Sequence, residues 1–182
     1  YYSFFFFFSS RTSYRLCSLA SYLGAQGSFG NEDMEELLPY LDKSAFGYDY
    51  DGLMFSAQQI KQRKEPNFMG MAFMGITHAP FARTLAQVDK YKGKTWDDGF
   101  KNTLYFSDWS IGEFLKKAKE DGWFDDTIFV FVSDHTSGGP GSDSLYNKFR
   151  IPMVIYAPKI LKPRKVEYVV SQLDIIPTLY NL

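Results

Sequence analysis

The stretch TIFVFVSDHTSGG, residues 127–139, decides how this sequence is expected to fold. It is apolar without interruption over residues 128–132 and then changes at once to a carboxylate, an imidazole, hydroxyls and two glycines. A short apolar run that ends in polar residues and glycines is typical of a strand covered on both faces of a parallel sheet. The sequence therefore predicts a buried strand with Asp134 and His135 at its carboxyl end.

Patterns on either side predict an alternation of strands and helices. The apolar run at residues 67–77 predicts a second central strand, covered on both faces and followed by His78. Apolar residues at helical spacing predict helices at residues 14–26, 51–64 and 98–121, another that begins with Asn31 as N-cap, and a C-terminal one with Asp174 as N-cap. This alternation indicates an α/β fold with a mainly parallel sheet sandwiched by helices.

The aromatic opening YYSFFFFFSS, residues 1–10, is interpreted either as a buried strand or as the remainder of a truncated upstream segment. It is too short to cross a bilayer as a helix and lacks the basic region of a signal peptide. No other stretch approaches about 18 uninterrupted apolar residues. Membrane association is therefore expected only through a segment outside this chain.

Composition narrows the classes of function. The 182 residues are 45% hydrophobic and 23% charged, which predicts a single globular domain over residues 1–182, with residues 1–13 as an atypical N-terminal segment. With 20 basic and 21 acidic residues, the formal net charge is -1, so no nucleic-acid partner is expected. The single cysteine, Cys17, is expected to be a small core residue without a disulfide partner.

Both histidines follow predicted strands, where the loops of parallel α/β sheets form a crevice. A carboxylate and a neutral imidazole are suitable ligands for Zn²⁺ or Mn²⁺, so Asp134 and His135 are candidate metal ligands. The alternative is that Asp134 caps a turn and His135 is an ordinary surface histidine. For His78, the alternative is a loop residue that hydrogen-bonds to the backbone.

Three ordered blocks carry a resemblance to a known family: DDTIFVFVSDHTSG, YNKFRIPMVIYAP and VVSQLDIIPTLYNL. Together they resemble the C-terminal half of the sulfatase and alkaline phosphatase superfamily, and most closely its lipoteichoic acid synthase-like phosphoglycerol transferases. The similarity extends from about residue 14 to the end of the chain. It implies an alkaline phosphatase-like sandwich that is incomplete at its N-terminus.

The resemblance also implies a chemistry and the residues that carry it. Asp134 and His135 match the metal ligands of the family, and His78 matches a histidine that contacts the phosphoryl or headgroup region. In such enzymes a metal-bound Thr or Ser attacks phosphorus and forms a covalent intermediate. The implied cofactor is a divalent metal, Mn²⁺ or Mg²⁺ first and Zn²⁺ or Ca²⁺ as alternatives. The implied substrates are phospholipid headgroups or sulfate and phosphate esters, met at the extracytoplasmic face of the cell membrane or in the periplasm.

The sequence also departs from the family pattern. The nucleophile and the first acidic metal ligand of the family lie upstream of the segment matched here, and Thr12 is the candidate that could replace the nucleophile. Gly30 and Glu32 stand where the synthases have aromatic and basic residues. These departures leave two hypotheses: a metal-dependent transferase or ester hydrolase, or a truncated, inactive domain that serves as a binding or structural module.

Overall fold

The computed structural model describes residues 2–38, 48–81, 89–136 and 144–182. The chain divides into two compact units, Tyr1–Phe124 and Asp125–Leu182, here called the first and the second unit. Within the described ranges, no helix combines the length and the hydropathy needed to cross a membrane. The expectation of a single domain over residues 1–182 stays a prediction.

The first unit contains a parallel sheet built around the aromatic opening of the chain. Its strands are β1 (Tyr2–Phe7), β2 (Gly27–Phe29) and β3 (Phe68–Phe73), in the order β2-β1-β3. Both neighbours run parallel to β1. The loops that follow these three strands therefore leave from the same edge of the sheet.

The opening aromatic run forms a buried strand, as one of the two interpretations expected. Phenylalanines of β1 cover both faces because successive side chains of a strand point in opposite directions. On one face Phe6 stacks on Phe29 at 5.4 Å between ring centroids. On the other, Phe5 and Phe7 pack with the buried Cys17. Each buried phenylalanine contributes about 1.5–3 kcal/mol of transfer free energy, so this strand is a main source of stability for the first unit.

Three helices accompany this sheet: α1 (Leu16–Tyr22), α2 (Asp49–Gln62) and α3 (Trp96–Glu120). Helix α1 lies within its predicted stretch, whereas α2 and α3 each begin slightly before the predicted start. The start of α3 is set by Thr95, whose side chain accepts a hydrogen bond from the Asp98 amide, while the Asp98 carboxylate accepts from the Thr95 amide. Helices α2 and α3 pack against each other, with Tyr50 stacked on Trp109 at 4.9 Å.

The helix predicted from Asn31 is wrong over the described residues. Only a 3-10 turn, Asn31–Asp33, forms there, with Gly30 and not Asn31 as its N-cap, and Met34 is already extended. Tertiary contacts hold this turn against the loop after β1, because Asp33 pairs with Arg11 and Glu32 accepts a hydrogen bond from the Arg11 amide. Residues 39–41 of the predicted helix lie outside the described residues.

The prediction that residues 67–77 form a central strand is correct about the strand and wrong about its place. In the described sheet, β3 lies at the edge, and Met69 and Met71 are 53% and 54% exposed. Strand β1 takes the central position because its phenylalanines are buried on both faces of the sheet. The side chains of β3 are mostly exposed.

The second unit contains two strands and two helices among its described residues. These are β4 (Phe129–Val132), α4 (Leu145–Phe149), β5 (Met153–Tyr156) and α5 (Ile175–Tyr180). Strands β4 and β5 pair antiparallel, with Val132 opposite Met153. The strand predicted from the opening stretch is present, but its full burial is not observed, since Phe129 is buried and Val132 is 40% exposed.

A 3-10 turn, Gln172–Asp174, leads into α5. Ser171 caps it: its hydroxyl accepts from the Leu173 amide at 3.0 Å, and its own amide donates to the Asp174 carboxylate at 2.7 Å. Asp174 occupies the N-cap position of α5, as predicted, but its side chain makes no capping hydrogen bond to that helix. Its carboxylate completes a capping box whose N-cap is Ser171.

Candidate functional site

The centre of the candidate site is the pair of side chains that follows β4. After Val132 the chain leaves the strand, and Asp134 and His135 project from the loop. Asp134 Oδ2 lies 3.5 Å from His135 Nε2, and the two side chains are 60% and 75% exposed. Neither group is enclosed by packing, so both can reach an external ion.

The hydrogen bonds of His135 define which ring nitrogen carries the proton. Its Nδ1 lies 2.7 Å from the carbonyl oxygen of Thr136, and a carbonyl oxygen can only accept. In the neutral ring Nδ1 is therefore the donor, and Nε2 keeps its lone pair. This is the arrangement that metal-binding histidines generally adopt, because a backbone carbonyl holds the other nitrogen and fixes the orientation of the ring.

The positions of the two free acceptor atoms suit a shared cation. Asp134 Oδ1 accepts the His135 amide at 2.9 Å, which leaves Oδ2 facing Nε2. Two ligands of a tetrahedral ion at 2.0–2.2 Å are separated by about 3.4 Å. The observed 3.5 Å is close to that separation, so Asp134 and His135 fit two positions in the coordination shell of a divalent metal.

No larger group of ligands accompanies this pair in the part of the chain that the structure describes. Within those residues, no three His, Cys, Asp or Glu side chains are grouped so that they could hold a metal ion. The pair is thus half of an ordinary coordination shell.

The second predicted site residue, His78, lies in the first unit, in the loop that follows β3. Its side chain is exposed, and its Nδ1 is 2.6 Å from the carbonyl oxygen of Ala79. The buried carboxylate of Asp49 holds this loop, because it accepts hydrogen bonds from the amides of Gly75 at 2.8 Å and Ile76 at 3.2 Å. Desolvation by burial raises the pKa of Asp49, against the opposing effect of these hydrogen bonds.

Thr12, the candidate nucleophile, lies in the loop after β1 and is exposed. Its hydroxyl is 3.2 Å from that of Ser10, which donates to Glu32 Oε1 at 2.5 Å. The Arg11 amide donates to the other oxygen of Glu32 at 2.8 Å. Desolvation would raise the pKa of Glu32, but the hydrogen bonds from Ser10 and Arg11 outweigh it and lower that pKa.

Sequence reasoning missed this hydrogen-bonded chain from Thr12 through Ser10 to Glu32. In the sequence, Glu32 is notable only because it replaces a basic residue of the resembled synthases. Its low pKa makes it a weak base, so the chain orients the Thr12 hydroxyl and does little to activate it.

The predicted site residues therefore fall into separate groups. Asp134 and His135 lie in the second unit and face each other, while Thr12 and His78 follow two adjacent parallel strands of the first unit. The expectation that Asp134, His135 and His78 border one cleft stays a prediction.

Comparison with known families assigns the chain to a class. The model of the Sulfatase family matches residues 2–182, so this chain belongs to the Sulfatase family. Among curated proteins, it is 23% identical over 155 residues to lipoteichoic acid synthase-like YvgJ of Bacillus subtilis, across 74% of this chain and 25% of that protein.

Two solved structures share the fold. A protein in the alkaline phosphatase superfamily from Vibrio parahaemolyticus matches with a TM-score of 0.81 and 21% identity, over 98% of this chain and 43% of the other. The lipoteichoic acid synthase LtaP from Listeria monocytogenes matches with a TM-score of 0.74 and 18% identity, over 100% of this chain and 49% of the other. The predicted alkaline phosphatase-like α/β fold is thus confirmed, and the chain spans a quarter to a half of the length of these relatives.

Proposed function

We propose that this chain supplies part of the active site of a metal-dependent enzyme that transfers phosphoglycerol or a related phospho-headgroup, or that hydrolyses sulfate or phosphate esters. Membership in the Sulfatase family and the similarity to a lipoteichoic acid synthase-like protein support this class of reaction. The observation that carries it is the pair Asp134 and His135, exposed at the end of β4 with two acceptor atoms 3.5 Å apart.

Asp134 and His135 would hold a divalent cation, as members of the sulfatase and alkaline phosphatase superfamily generally do. Mn²⁺ or Mg²⁺ is the first expectation, with Zn²⁺ or Ca²⁺ as alternatives, because a carboxylate with an imidazole accepts several of these ions. When bound, such an ion neutralises negative charge on a phosphoryl or sulfuryl oxygen and lowers the pKa of a coordinated hydroxyl.

The residues of the chain itself would orient the reactants. Asp134 brings a full negative charge to the ion, and the Nδ1 hydrogen bond to Thr136 keeps His135 turned with Nε2 outward. His78 is exposed in the loop after β3 and would contact the phosphoryl or headgroup region of a substrate. Thr12, exposed after the neighbouring strand, is the candidate nucleophile within this chain.

The substrate class follows from the relatives. One curated relative is a lipoteichoic acid synthase-like protein and one solved relative is a lipoteichoic acid synthase, so a phospholipid headgroup is the first candidate and a sulfate ester the second. A substrate of this kind would be met at the extracytoplasmic face of the membrane or in the periplasm.

One observation favours a second function, a catalytically inactive binding or structural module. Within the described residues the pair of ligands has no third carboxylate, imidazole or thiolate grouped with it. A pair alone binds a metal weakly, and a weakly bound metal supports little turnover. Such a module would retain the fold of the family but not its catalytic activity.

The two functions separate in one set of assays on the full chain. Hydrolysis of a chromogenic phosphodiester and of a chromogenic sulfate ester is measured with and without Mn²⁺, in the wild type, in Asp134→Ala and in Asp126→Ala. Asp126 is the matched control, because it is an exposed carboxylate of the same unit that pairs with Lys159 at 3.2 Å. The enzyme proposal expects Mn²⁺-dependent turnover that Asp134→Ala abolishes and Asp126→Ala preserves. Equal rates in all three proteins, with no metal binding, would contradict the enzyme proposal and support the inactive module.

A further inference from the structure

The loop that carries Asp134 and His135 is held from one side by an amide side chain far away in sequence. Gln172, in the 3-10 turn before α5, donates from Nε2 to the carbonyl oxygen of Ser133 at 2.8 Å and lies 3.4 Å from that of Asp134. The carbonyl oxygens of two successive peptide groups thus face one donor group. These two peptides set the direction in which the Asp134 side chain leaves the backbone.

A second contact holds the same loop from the other end. The hydroxyl of Thr136 donates to the carbonyl oxygen of Lys148, near the end of α4, at 2.9 Å. The carbonyl oxygen of the same Thr136 accepts the Nδ1 proton of His135. The side chain of Thr136 is therefore tied to α4 while its backbone fixes the imidazole.

We propose that Gln172 is a positioning residue for the metal-ligand pair and that Thr136 is its counterpart at the other end of the loop. This inference rests on the proposed function, in which Asp134 and His135 bind a divalent cation. Gln172 holds the peptides on either side of the Asp134 Cα atom, and Thr136 holds the ring of His135. Together they keep Oδ2 and Nε2 at the separation that a shared ion requires.

The surroundings of Gln172 argue for this role and against a general packing role. Its side chain is exposed, so it contributes little to a core. The glutamine is also chemically selective, because a carboxylate in its place would put acceptor oxygens against the carbonyl oxygens of Ser133 and Asp134. Only a side chain that donates at this length can make these contacts.

The first measurement is metal affinity in the full chain. Gln172→Met keeps the length of the side chain and removes the donor, and Gln58→Met makes the same change at an exposed position of α2. Titration with Mn²⁺, followed by electron paramagnetic resonance of the free ion, should show binding roughly 10- to 100-fold weaker in Gln172→Met. Gln58→Met should match the wild type, and Thr136→Val should shift in the same direction as Gln172→Met. The melting temperatures should stay close together in all four proteins.

The second measurement needs no metal and separates this inference from the proposed function. The ¹⁵N shifts of the His135 ring and the amide exchange of residues 134–136 are recorded by NMR in the metal-free proteins. The wild type should show His135 protonated at Nδ1, and Gln172→Met should show a mixture of ring states and faster exchange. If the wild type binds no Mn²⁺ but these signals still change, the proposed function fails and the positioning role stands. If Gln172→Met matches the wild type in ring state and exchange, the positioning role is overturned whether or not the metal binds.

Discussion

At the scale of single residues, the buried carboxylate of Asp49 links the core of the first unit to the loop of His78. Asp49 is fully buried and accepts hydrogen bonds from two amides of that loop and from the Ser107 hydroxyl at 2.8 Å. A buried carboxylate without such partners would destabilise the fold strongly. The first turn of α2 thus carries a residue that orders a loop of the candidate site.

Replacing Asp49 distinguishes the loss of its hydrogen bonds from the loss of its charge. Asp49→Ala leaves the Gly75 and Ile76 amides without their acceptor and should lower the free energy of unfolding by about 2–4 kcal/mol. Asp49→Asn keeps an acceptor for the amides and a donor for Ser107, so its effect should be much smaller. Urea denaturation measures both, with Asp108→Ala as an exposed control in α3. Equal losses in the two Asp49 variants would contradict this account.

The raised pKa of Asp49 predicts a specific pH dependence. Because burial raises the pKa above its ordinary value of 3.8, the folded protein holds this proton more tightly than the unfolded chain. Its contribution to stability is therefore complete below pH 3.8 and is lost as the pH rises through the folded pKa. Urea denaturation should be repeated at a series of pH values from below 3.8 upward. The wild type should lose stability relative to Asp49→Asn as the pH rises. A difference that stays constant or changes in the opposite direction would show that the pKa of Asp49 is not raised.

At the scale of elements, side-chain caps set where the helices begin. Thr95 with Asp98 opens α3, and Ser171 with Asp174 opens the turn that leads into α5. In each case a hydroxyl and a carboxylate three residues apart satisfy backbone amides that the helix leaves free. The second cap has a further consequence, because it fixes the turn from which Gln172 reaches the loop of Asp134.

Removal of the α3 cap should have a measurable and limited cost. Thr95→Ala deletes the acceptor for the Asp98 amide and should lower the free energy of unfolding by about 1 kcal/mol. Thr178→Ala is the comparison, since Thr178 lies within α5 and its side chain is exposed. Chemical denaturation should show a loss for Thr95→Ala alone. A similar loss in both variants would mean that the cap contributes nothing specific.

The central strand offers a second prediction at this scale. Phe6 is 1% exposed in β1, whereas Met69 is 53% exposed in the neighbouring β3. Phe6→Ala should lower the free energy of unfolding by about 3–5 kcal/mol, because it leaves a cavity between packed rings. Met69→Ala should cost far less, since no comparable cavity forms. Comparable losses, measured by urea denaturation, would show that Met69 is covered in solution.

At the scale of the whole molecule, the chain carries a sequence typical of one family across two compact units. The Sulfatase family model matches residues 2–182 and so covers both Tyr1–Phe124 and Asp125–Leu182. A family domain is usually one cooperative unit, and whether these two units form one is a prediction that unfolding can test.

Unfolding measured with two probes tests this prediction. All three tryptophans, Trp96, Trp109 and Trp123, lie in the first unit, so their fluorescence reports that unit alone. Circular dichroism reports the helices and strands of both units. A single cooperative domain predicts transitions that coincide in urea for the two probes. Separate transitions would show that the units unfold independently.

The sequence by itself determined the local elements and the types of residue at their ends. Periodicity located α2, α3 and the strand before Asp134, because helical and extended spacing are properties of neighbouring residues. It also placed Asp134 and His135 where a strand gives way to a loop, and the resemblance supplied the family.

Only the tertiary structure decided which contacts these elements make. It placed β1 and not β3 at the centre of the described sheet, and it shortened the predicted helix at Asn31 to a single turn. It also joined Ser10 to Glu32, and Gln172 to the loop of Asp134. Each of these outcomes depends on residues far apart in the chain. Local spacing carries no information about such pairs, because their free energy arises only when the packed fold brings them together.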